Sequence, residues 1–326
     1  MKGNYTRNVT IIIPTLNAEP YLKRLLITIS TQSIIPLEVI VIDSSSTDAS
    51  VSIVGCQDRY GIPVRLVSIE RQDFSHGKTR NLAASMALGE IIVFITQDAL
   101  PASSDWLGNL IAPFQDKSVG CVFGRHLSKP GGNPVIALDI ERHFDCFGYK
   151  EYTTQQVDWL SESSILDYRS REGWYCFNSN VNSAIRRGIW EKIGFRAVMY
   201  SEDQLFGRDL IESGGKKVYA RNATVYHSHE FTLPEFFKRY FDEYRGLKNT
   251  VGFVDNTGLI NFLPCVMLAV CRDVYYLAGK NIDNKLYWLL YTPLFHIVRK
   301  AGAYLGGRYE KIPPVLRKYL SLENRA

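Results

Sequence analysis

The sequence predicts an α/β fold in which a mostly parallel sheet is covered by helices on both faces, followed by a helical C-terminal region. Apolar strands alternate with amphipathic helices through the first half of the chain, and these strands are nearly continuous runs of Val and Ile. Such runs are typical of parallel strands that are buried on both faces. After Leu233 the chain becomes rich in aromatic and basic residues. With 326 residues, it is long enough for one large α/β domain and an additional region.

The first half supplies four predicted strands and three predicted helices. The strands are expected over residues 9–13, 38–43, 64–69 and 91–95. Apolar residues at helical spacing predict helices over residues 20–31, 79–88 and around 106–111. In parallel sheets, ligands bind beyond the carboxyl ends of the strands. Polar residues at those ends are therefore the first candidates for a site.

The second half is less regular at first and then ends in helices. Residues 125–175 mix aromatic and charged residues, whereas a helix is predicted over 204–213 and short strands over 217–220 and 223–226. The longest uncharged runs are 256–271, which contains Pro264, and 286–298. A membrane-spanning helix needs about 20 apolar residues. We therefore expect interfacial helices here, with core helices or a dimer interface as the alternatives.

Charge is distributed unevenly along the chain. Residues 231–326 hold 14 Lys and Arg against 8 Asp and Glu, whereas residues 1–230 hold 24 against 25. The excess positive charge favours an anionic partner such as lipid headgroups, a phosphorylated substrate or nucleic acid. A mean hydropathy of −0.10 excludes a polytopic membrane protein. The six cysteines form no CxxC pair and the N-terminus shows no targeting signal, so a reduced cytosolic setting is expected.

Two strand-end carboxylates suggest a nucleotide site. Asp43 ends the second predicted strand and is suited to accept hydrogen bonds from a base or ribose, whereas Asp98 follows the fourth and is suited to hold a divalent cation. The segment 77–81 (GKTRN) places two cations near a helix start. A strand-end Asp is as often a helix cap as a ligand. The dinucleotide-binding, P-loop and nucleophile-elbow motifs are absent.

Over residues 8–232 the chain resembles family 2 glycosyltransferases of the GT-A fold. The resemblance is carried by IIIPTLN (11–17), EVIVIDSSSTD (38–48), GKTRN (77–81), ALGE (87–90) and TQDALP (96–101). Within that family, TQDALP together with FSHG (74–77) and HSH (227–229) is most similar to bacterial rhamnosyltransferases that build O-antigen or capsule chains. The resemblance implies a catalytic domain over residues 1–232 and a helical docking or oligomerisation region over 233–326.

The resemblance also implies a donor site and a metal site. The donor nucleotide would contact eight residues, namely Pro14, Thr15, Asn17, Asp43, Ser45, Arg80, Gln97 and Asp98. The Asp-x-Asp metal motif of the family reads Thr96-Gln97-Asp98 here, so its first carboxylate is missing. Mg²⁺ or Mn²⁺ would be held by Asp98 with His227 and His229, two histidines that share one side of an extended segment.

Glu202-Asp203 resembles the base motif of the family. Asp203 would act as general base, with Glu202 orienting the base or the acceptor, and a helix N-terminus would keep Asp203 ionised. The alternative is a pair of charges that only stabilise that helix terminus. Acceptor or donor sugar would pack near Trp174, Asn178 and Asn180, although core packing explains these residues equally well. Asp43, Asp98 and Asp203 are expected around one crevice.

The resemblance implies an inverting transfer of L-rhamnose from dTDP-β-L-rhamnose to a polyprenyl-linked saccharide. The enzyme would lie in the bacterial cytoplasm, peripherally on the inner face of the membrane, with an anionic lipid surface and no nucleic acid as partner. Alternatives are a family 2 transferase of a UDP- or GDP-linked sugar, a sugar-1-phosphate nucleotidyltransferase, and a sugar- or lipid-binding protein without transferase activity. Self-association stays open.

Overall fold

A computed structural model describes residues 8–55, 60–198, 200–255 and 258–322. Internal contacts divide the chain into two compact units. The first unit comprises Met1–Leu127 and Glu141–His227, and the second comprises Ser128–Ile140 and Ser228–Ala326. The sequence did not indicate that residues 128–140 would group with the C-terminal helices, because they lie a hundred residues away in the chain.

Nine strands within the described residues form a single sheet. They are β1 (Val9–Thr15), β2 (Glu38–Asp43), β3 (Val64–Ser68), β4 (Ile91–Ile95), β5 (Leu100–Pro101), β6 (Val119–Leu127), β7 (Tyr152–Gln155), β8 (Asn182–Arg186) and β9 (Lys216–Tyr226). The strand order is β3-β2-β1-β4-β8-β6-β9-β5, and β7 also pairs with β9. The four predicted strands are present, and the two short strands predicted near residue 220 are one long strand with an irregular register.

The sheet is parallel in its first half and mixed beyond it. Strands β3, β2, β1 and β4 are parallel, as predicted. Strand β8 is antiparallel to both β4 and β6, whereas β6 and β9 are parallel. The mixed half was not predicted, since strand direction depends on how the connecting segments cross the sheet and periodicity does not report it.

Among the described residues, eight α-helices lie in the first unit, and a ninth, α5, begins in the second unit and ends in the first. They are α1 (Glu19–Ser30), α2 (Ser50–Gly55), α3 (His76–Ser85), α4 (Trp106–Ile111), α5 (Pro134–Asp145), α6 (Glu162–Ser170), α7 (Glu172–Cys176), α8 (Arg187–Ile193) and α9 (Glu202–Glu212). The chain passes between the two units within α5. Helices cover both faces of the parallel strands, which explains the unbroken runs of Val and Ile.

Alternate residues of the strands enter two separate cores. Ile11 and Ile13 of β1 pack on one face with Leu22 and other residues of α1. Ile12 packs on the opposite face with Ala83 and other residues of α3. This division follows from the two-residue period of a strand. The two buried faces fix the carboxyl ends of the strands in place.

The described residues of the second unit include four further α-helices, α10 (Leu233–Val251), α11 (Leu259–Ala278), α12 (Lys285–Gly306) and α13 (Pro314–Leu320). Its core includes Phe236, Leu277 and Phe295. Helix α11 is longer than the uncharged run suggested, because it continues past Arg272 and Asp273. Its segment Ile260–Ala278 has a mean hydropathy of 1.4 and is long and apolar enough to cross a membrane, and 17% of that segment is buried.

Candidate active site

The ends of β1 and β2 are joined through the Asp43 carboxylate. Asp43 is 2% exposed, and its Oδ1 accepts a hydrogen bond from Thr15 Oγ1 at 3.2 Å. Its Oδ2 accepts from the Ser46 backbone N–H at 2.9 Å. In the strand register, Pro14 lies beside Ile42, directly before this contact. The carboxylate is thus held within its own loop, and its predicted contact with a nucleotide base stays a prediction.

The loops after these two strands contain left-handed backbone at residues other than glycine. Asn17 has a φ of 49° and Ser45 a φ of 61°. Asn17 Oδ1 accepts from the Thr47 N–H at 2.9 Å, and Ser45 Oγ donates to the Ile69 carbonyl at 3.0 Å. Such conformations cost free energy and persist where the surroundings enforce them, often at functional sites.

Gln97 fastens the end of β4 to the end of β1. Its Oε1 accepts from the Leu16 N–H at 2.8 Å, and its Nε2 donates to the Leu16 carbonyl at 3.0 Å. Both halves of the amide are therefore engaged with backbone. The next residue, Asp98, supplies the one carboxylate of the altered Asp-x-Asp motif.

Asp98 lies beside His227. Asp98 Oδ2 and His227 Nε2 are 3.4 Å apart, and both side chains are partly exposed. The His126 ring centroid lies 5.5 Å from that of His227, and burial lowers the pKa of His126 well below its usual value. A carboxylate oxygen and an imidazole nitrogen at this separation are a donor set suited to a divalent transition metal.

His229 belongs to the second unit and lies two residues beyond His227 in the chain. Chain connectivity alone keeps the two Cα atoms within about 7 Å of each other. The ring of His229 stacks on Phe231 with centroids 5.0 Å apart and an interplanar angle of 6°. Its role as a metal ligand stays a prediction.

Asp203 lies in the first turn of α9, directly after Ser201 and Glu202. Ser201 has a φ of 58°, and Asp203 Oδ2 accepts from the Asn180 N–H at 3.1 Å. Burial, together with repulsion from Glu202, raises the pKa of Asp203 to about 7. We expected the helix N-terminus to keep this group ionised, and burial acts against that effect because it disfavours the charged form.

Glu202 and Arg80 form a buried ion pair. Arg80 Nη1 lies 2.7 Å from Glu202 Oε1, and each side chain is 6% exposed. Glu202 Oε1 also accepts from Asn180 Nδ2 at 3.4 Å. Arg80 thus holds the neighbour of Asp203, and its predicted contact with donor phosphates stays a prediction.

The three residues predicted to pack on a sugar differ in exposure. Trp174 is partly exposed, donates to the Cys146 carbonyl at 3.1 Å and stacks on Arg171. Asn178 and Asn180 are each 1% exposed. Asn178 Oδ1 accepts from the Cys121 thiol, and Asn180 Oδ1 accepts from Ser183 Oγ at 3.0 Å. Both asparagines therefore stabilise this part of the fold.

The strand registers bring these groups to one edge of the sheet. Thr15 and Asp43 end the parallel strands β1 and β2 side by side. Ile95 at the end of β4 pairs with Asn182 at the start of the antiparallel β8. Asn180, which holds Asp203, consequently lies at the same edge as Asp98. A single crevice shared by Asp43, Asp98 and Asp203 stays a prediction.

Two residues of β6 and β9, His126 and Lys217, were not predicted as part of a site. Residue spacing offers no signal for His126, since its proximity to His227 depends on the pairing of β6 with β9. Lys217 is fully buried in β9. Its inward direction was available from strand alternation, because Lys217 and the buried Tyr219 share a face.

Comparison with known proteins places this geometry among sugar-transferring enzymes. The family model described as "Glycosyl transferase family 2" matches residues 10–194. O-antigen chain rhamnosyltransferase RfbN of Salmonella typhimurium is 35% identical over 237 residues, which cover 72% of this chain and 70% of RfbN. O-antigen chain rhamnosyltransferase WbaN of Salmonella anatum is 32% identical over the same shares of the two chains.

Solved structures show the same fold at low sequence identity. The mannosyltransferase PcManGT from Pyrobaculum calidifontis, in complex with GDP-Man and Mn²⁺, matches with a TM-score of 0.60 and 18% identity, covering 93% of this chain and 88% of that one. Residues 1–349 of S. aureus TarS in complex with UDP match with a TM-score of 0.53 and 16% identity, covering 92% of each chain. These similarities support the GT-A architecture.

Proposed function

Since the chain belongs to glycosyltransferase family 2 and is a glycosyltransferase of the GT-A fold, we propose that it transfers L-rhamnose from dTDP-β-L-rhamnose to a saccharide hydroxyl of a lipid-linked acceptor. Similarity to two O-antigen chain rhamnosyltransferases supports rhamnose as the sugar. The observation that supports the reaction is the Asp203 carboxylate, which a backbone N–H holds at the edge of the sheet that also carries Asp98.

The proposed reaction is a single displacement with inversion. Asp203 removes the proton of the acceptor hydroxyl as that oxygen attacks the anomeric carbon of the donor sugar. The bond between the anomeric carbon and the diphosphate oxygen breaks, and the nucleoside diphosphate leaves with the electron pair. The product is an α-L-rhamnoside. A carboxylate with a pKa of about 7 is a stronger base than an ordinary aspartate while still ionised near neutral pH.

A divalent cation fits the residues around Asp98. The donor set consists of the Asp98 carboxylate and the His227 imidazole, with His229 close along the chain. Such mixed ligands suit Mn²⁺ better than Mg²⁺, which prefers oxygen. When bound, the cation supplies positive charge that stabilises the diphosphate leaving group. Asp98 and His227 would hold it, and Gln97 would fix Asp98 through its two bonds to the backbone of Leu16.

The donor nucleotide would bind at the ends of β1 and β2. Pro14, Thr15 and Asn17 present backbone and polar atoms there, and Asp43 with Ser45 completes the edge. The hydrogen bonds within these loops keep them in one conformation before the donor arrives. Preorganised polar groups lose little entropy on binding.

The helical unit would place the enzyme on an anionic membrane surface. Its exposed apolar side chains include Ile260 (90%), Leu268 (74%) and Tyr275 (85%) on α11, with Leu286 and Leu290 on α12. The same unit carries the excess of Lys and Arg. Apolar residues that enter the interface and basic residues that attract anionic headgroups are the two requirements for peripheral binding. A lipid-linked acceptor would then be reached from the cytoplasmic face.

A panel of nucleotide sugars tests the proposed function. The full-length protein is incubated with dTDP-rhamnose, UDP- and GDP-linked sugars and a polyprenyl-diphosphate saccharide, with and without Mn²⁺, and released nucleoside diphosphate is measured. We expect release with dTDP-rhamnose, dependent on acceptor. Turnover of a UDP- or GDP-linked sugar alone would show that the donor carries a sugar other than rhamnose. Binding of donors without turnover of any would contradict it.

A further inference from the structure

Lys217 is a fully buried lysine in the interior of the first unit. It is 0% exposed, and its Nζ donates to the carbonyl of Tyr175 at 2.6 Å and to that of Phe177. Its Nζ also lies 5.4 Å from the Phe123 ring centroid. Burial of an ammonium group costs free energy unless hydrogen bonds or opposite charges compensate for the lost hydration. Here the ammonium group donates to backbone carbonyls at the C-terminal end of α7.

The segment that Lys217 holds leads directly to Asp203. Three residues after Phe177, the Asn180 N–H donates to Asp203 Oδ2 at 3.1 Å. The helix that carries Asp203 packs tightly on the same segment, because a Cβ added at Gly207 would lie 2.2 Å from the Cys176 carbonyl oxygen. Movement of residues 175–180 would therefore move the hydrogen-bond donor of Asp203.

We propose that Lys217 is a positioning residue for Asp203. Its two hydrogen bonds fix the segment 175–180, and its positive charge stabilises the Asp203 carboxylate. This inference rests on the proposed role of Asp203 as general base. Because Lys217 is 0% exposed, its proposed effect on the reaction is exerted through Asp203.

The charges around the two groups support this assignment. Lys217 is faced by Cys121 of β6, Cys176 of α7 and Asp203 of α9. Burial raises the pKa of the Cys121 thiol to about 12, so that thiol is neutral. Of these three neighbours, Asp203 is the one that carries a carboxylate. Attraction between unlike charges favours the ionised forms of Lys217 and Asp203.

Asp203 is faced by two other charged side chains. Glu202 disfavours its ionisation, and Arg80 favours it. Arg80 is already paired with Glu202 at 2.7 Å, so its charge is largely offset. The hydrogen bonds of Lys217 go to neutral backbone carbonyls, so its charge is less compensated than that of Arg80.

The first test uses the pH dependence of transfer at saturating donor. Lys217→Met keeps the apolar stem and removes the charge, and Lys217→Arg keeps the charge. Lys216→Met is the matched control, because its ammonium group pairs with Asp116 at 2.9 Å on the surface. We expect the ascending limb of the Lys217→Met profile to shift to higher pH by on the order of one unit. Lys217→Arg and Lys216→Met should keep the wild-type limb.

A loss of rate at every pH with an unmoved limb in Lys217→Met would overturn the proposal and leave Lys217 a purely structural residue. An inactive wild-type protein would instead overturn the proposed function. The two failures are therefore distinguished.

The second test needs no activity and no change at position 217. Burial lowers the pKa of Lys217 to about 8, so its ¹³Cε NMR signal titrates apart from those of ordinary lysines near 10.4. Coupling between two charges is reciprocal. We expect Asp203→Asn to lower the titration midpoint of this signal, with Asp105→Asn as control. An unchanged midpoint in Asp203→Asn would overturn the proposal even if the Lys217 variants fail to fold.

Discussion

The guanidinium of Arg80 and the carboxylate of Glu202 form an ion pair of 2.7 Å in which each side chain is 6% exposed. Arg80 belongs to α3 and Glu202 to α9, so the pair joins two helices that are 122 residues apart in the chain. Because Glu202 precedes Asp203, this contact also fixes the start of the helix that carries the proposed base. A residue predicted to contact the donor thus also holds Glu202, the neighbour of the proposed base.

Removal of Arg80 alone should destabilise the protein more than removal of the whole pair. Arg80→Met leaves Glu202 buried without its partner, and we expect a loss of about 3–5 kcal/mol in the free energy of unfolding. Arg80→Met/Glu202→Gln should lose clearly less. Urea denaturation followed by circular dichroism measures both. Arg65→Met, whose pair with Glu38 is 44% exposed at the arginine, is the control. Equal losses in the single and double variants would contradict a coupled buried pair.

Asp203→Asn should abolish transfer while it leaves donor binding almost unchanged. The amide cannot accept the proton of the acceptor hydroxyl, and general base catalysis typically contributes about 10²–10⁴-fold. Nucleoside diphosphate release measures the rate, and calorimetric titration with dTDP measures binding. Asp209→Asn, on the same helix and paired with Arg196, is the control. Retention of more than about a hundredth of the rate would exclude Asp203 as the base.

The same substitution should stabilise the protein at high pH. The pKa of Asp203 is about 7 in the folded state, against an ordinary 3.8, so the folded state binds its proton more tightly. The stability contributed by this group is complete below about pH 4 and is lost as the pH rises through 7. We expect Asp203→Asn to gain about 1–3 kcal/mol relative to wild type between pH 4 and pH 8.

Asp116 on the surface provides a control, because its pKa is shifted in the direction opposite to that of Asp203. Hydrogen bonds from Ser118 and Lys216 lower the pKa of Asp116. Asp116→Asn should therefore be less stable than wild type above pH 4, and the difference should disappear in acid. Denaturant unfolding of the two variants at a series of pH values gives both slopes. Parallel slopes for Asp203→Asn and wild type would show that Asp203 titrates normally.

Substitution of Asp98 or His227 should weaken the binding of Mn²⁺. Each removes one ligand atom from a pair that lies 3.4 Å apart. Electron paramagnetic resonance of free Mn²⁺ measures affinity without turnover, and we expect a loss of about 10-fold or more for Asp98→Asn and His227→Ala. Asp105→Asn, which changes an exposed aspartate shortly after Asp98 in the chain, should bind Mn²⁺ as wild type does. Unchanged affinity in both variants would place the cation elsewhere.

Charge on the exposed face of α11 should release the protein from anionic vesicles. Ile260→Glu/Leu268→Glu puts two carboxylates where apolar side chains would enter the interface, and repulsion from the headgroups adds to the loss. Vesicle flotation measures the bound fraction. Leu160→Glu is the matched control, since Leu160 is 99% exposed but lies in the first unit. Undiminished flotation of the double variant would contradict docking through α11.

The amino-acid sequence by itself determined the parallel half of the sheet and the motifs at its strand ends. Strand periodicity and unbroken Val and Ile runs report burial on two faces, so β1, β2 and β4 could be predicted to within a residue or two. The positions of Asp43, Asp98 and Asp203 follow from local sequence too. Each lies next to an element whose boundary is encoded by neighbouring residues.

Tertiary structure alone decided which partners these residues meet and how they ionise. The pairing of Arg80 with Glu202, the proximity of Asp98 to His227 and the hydrogen bonds of buried Lys217 to Tyr175 and Phe177 join residues from distant parts of the chain. The raised pKa of Asp203 is likewise a property of its surroundings. Local sequence specifies a helix terminus that favours a negative charge, whereas desolvation depends on everything that packs around it.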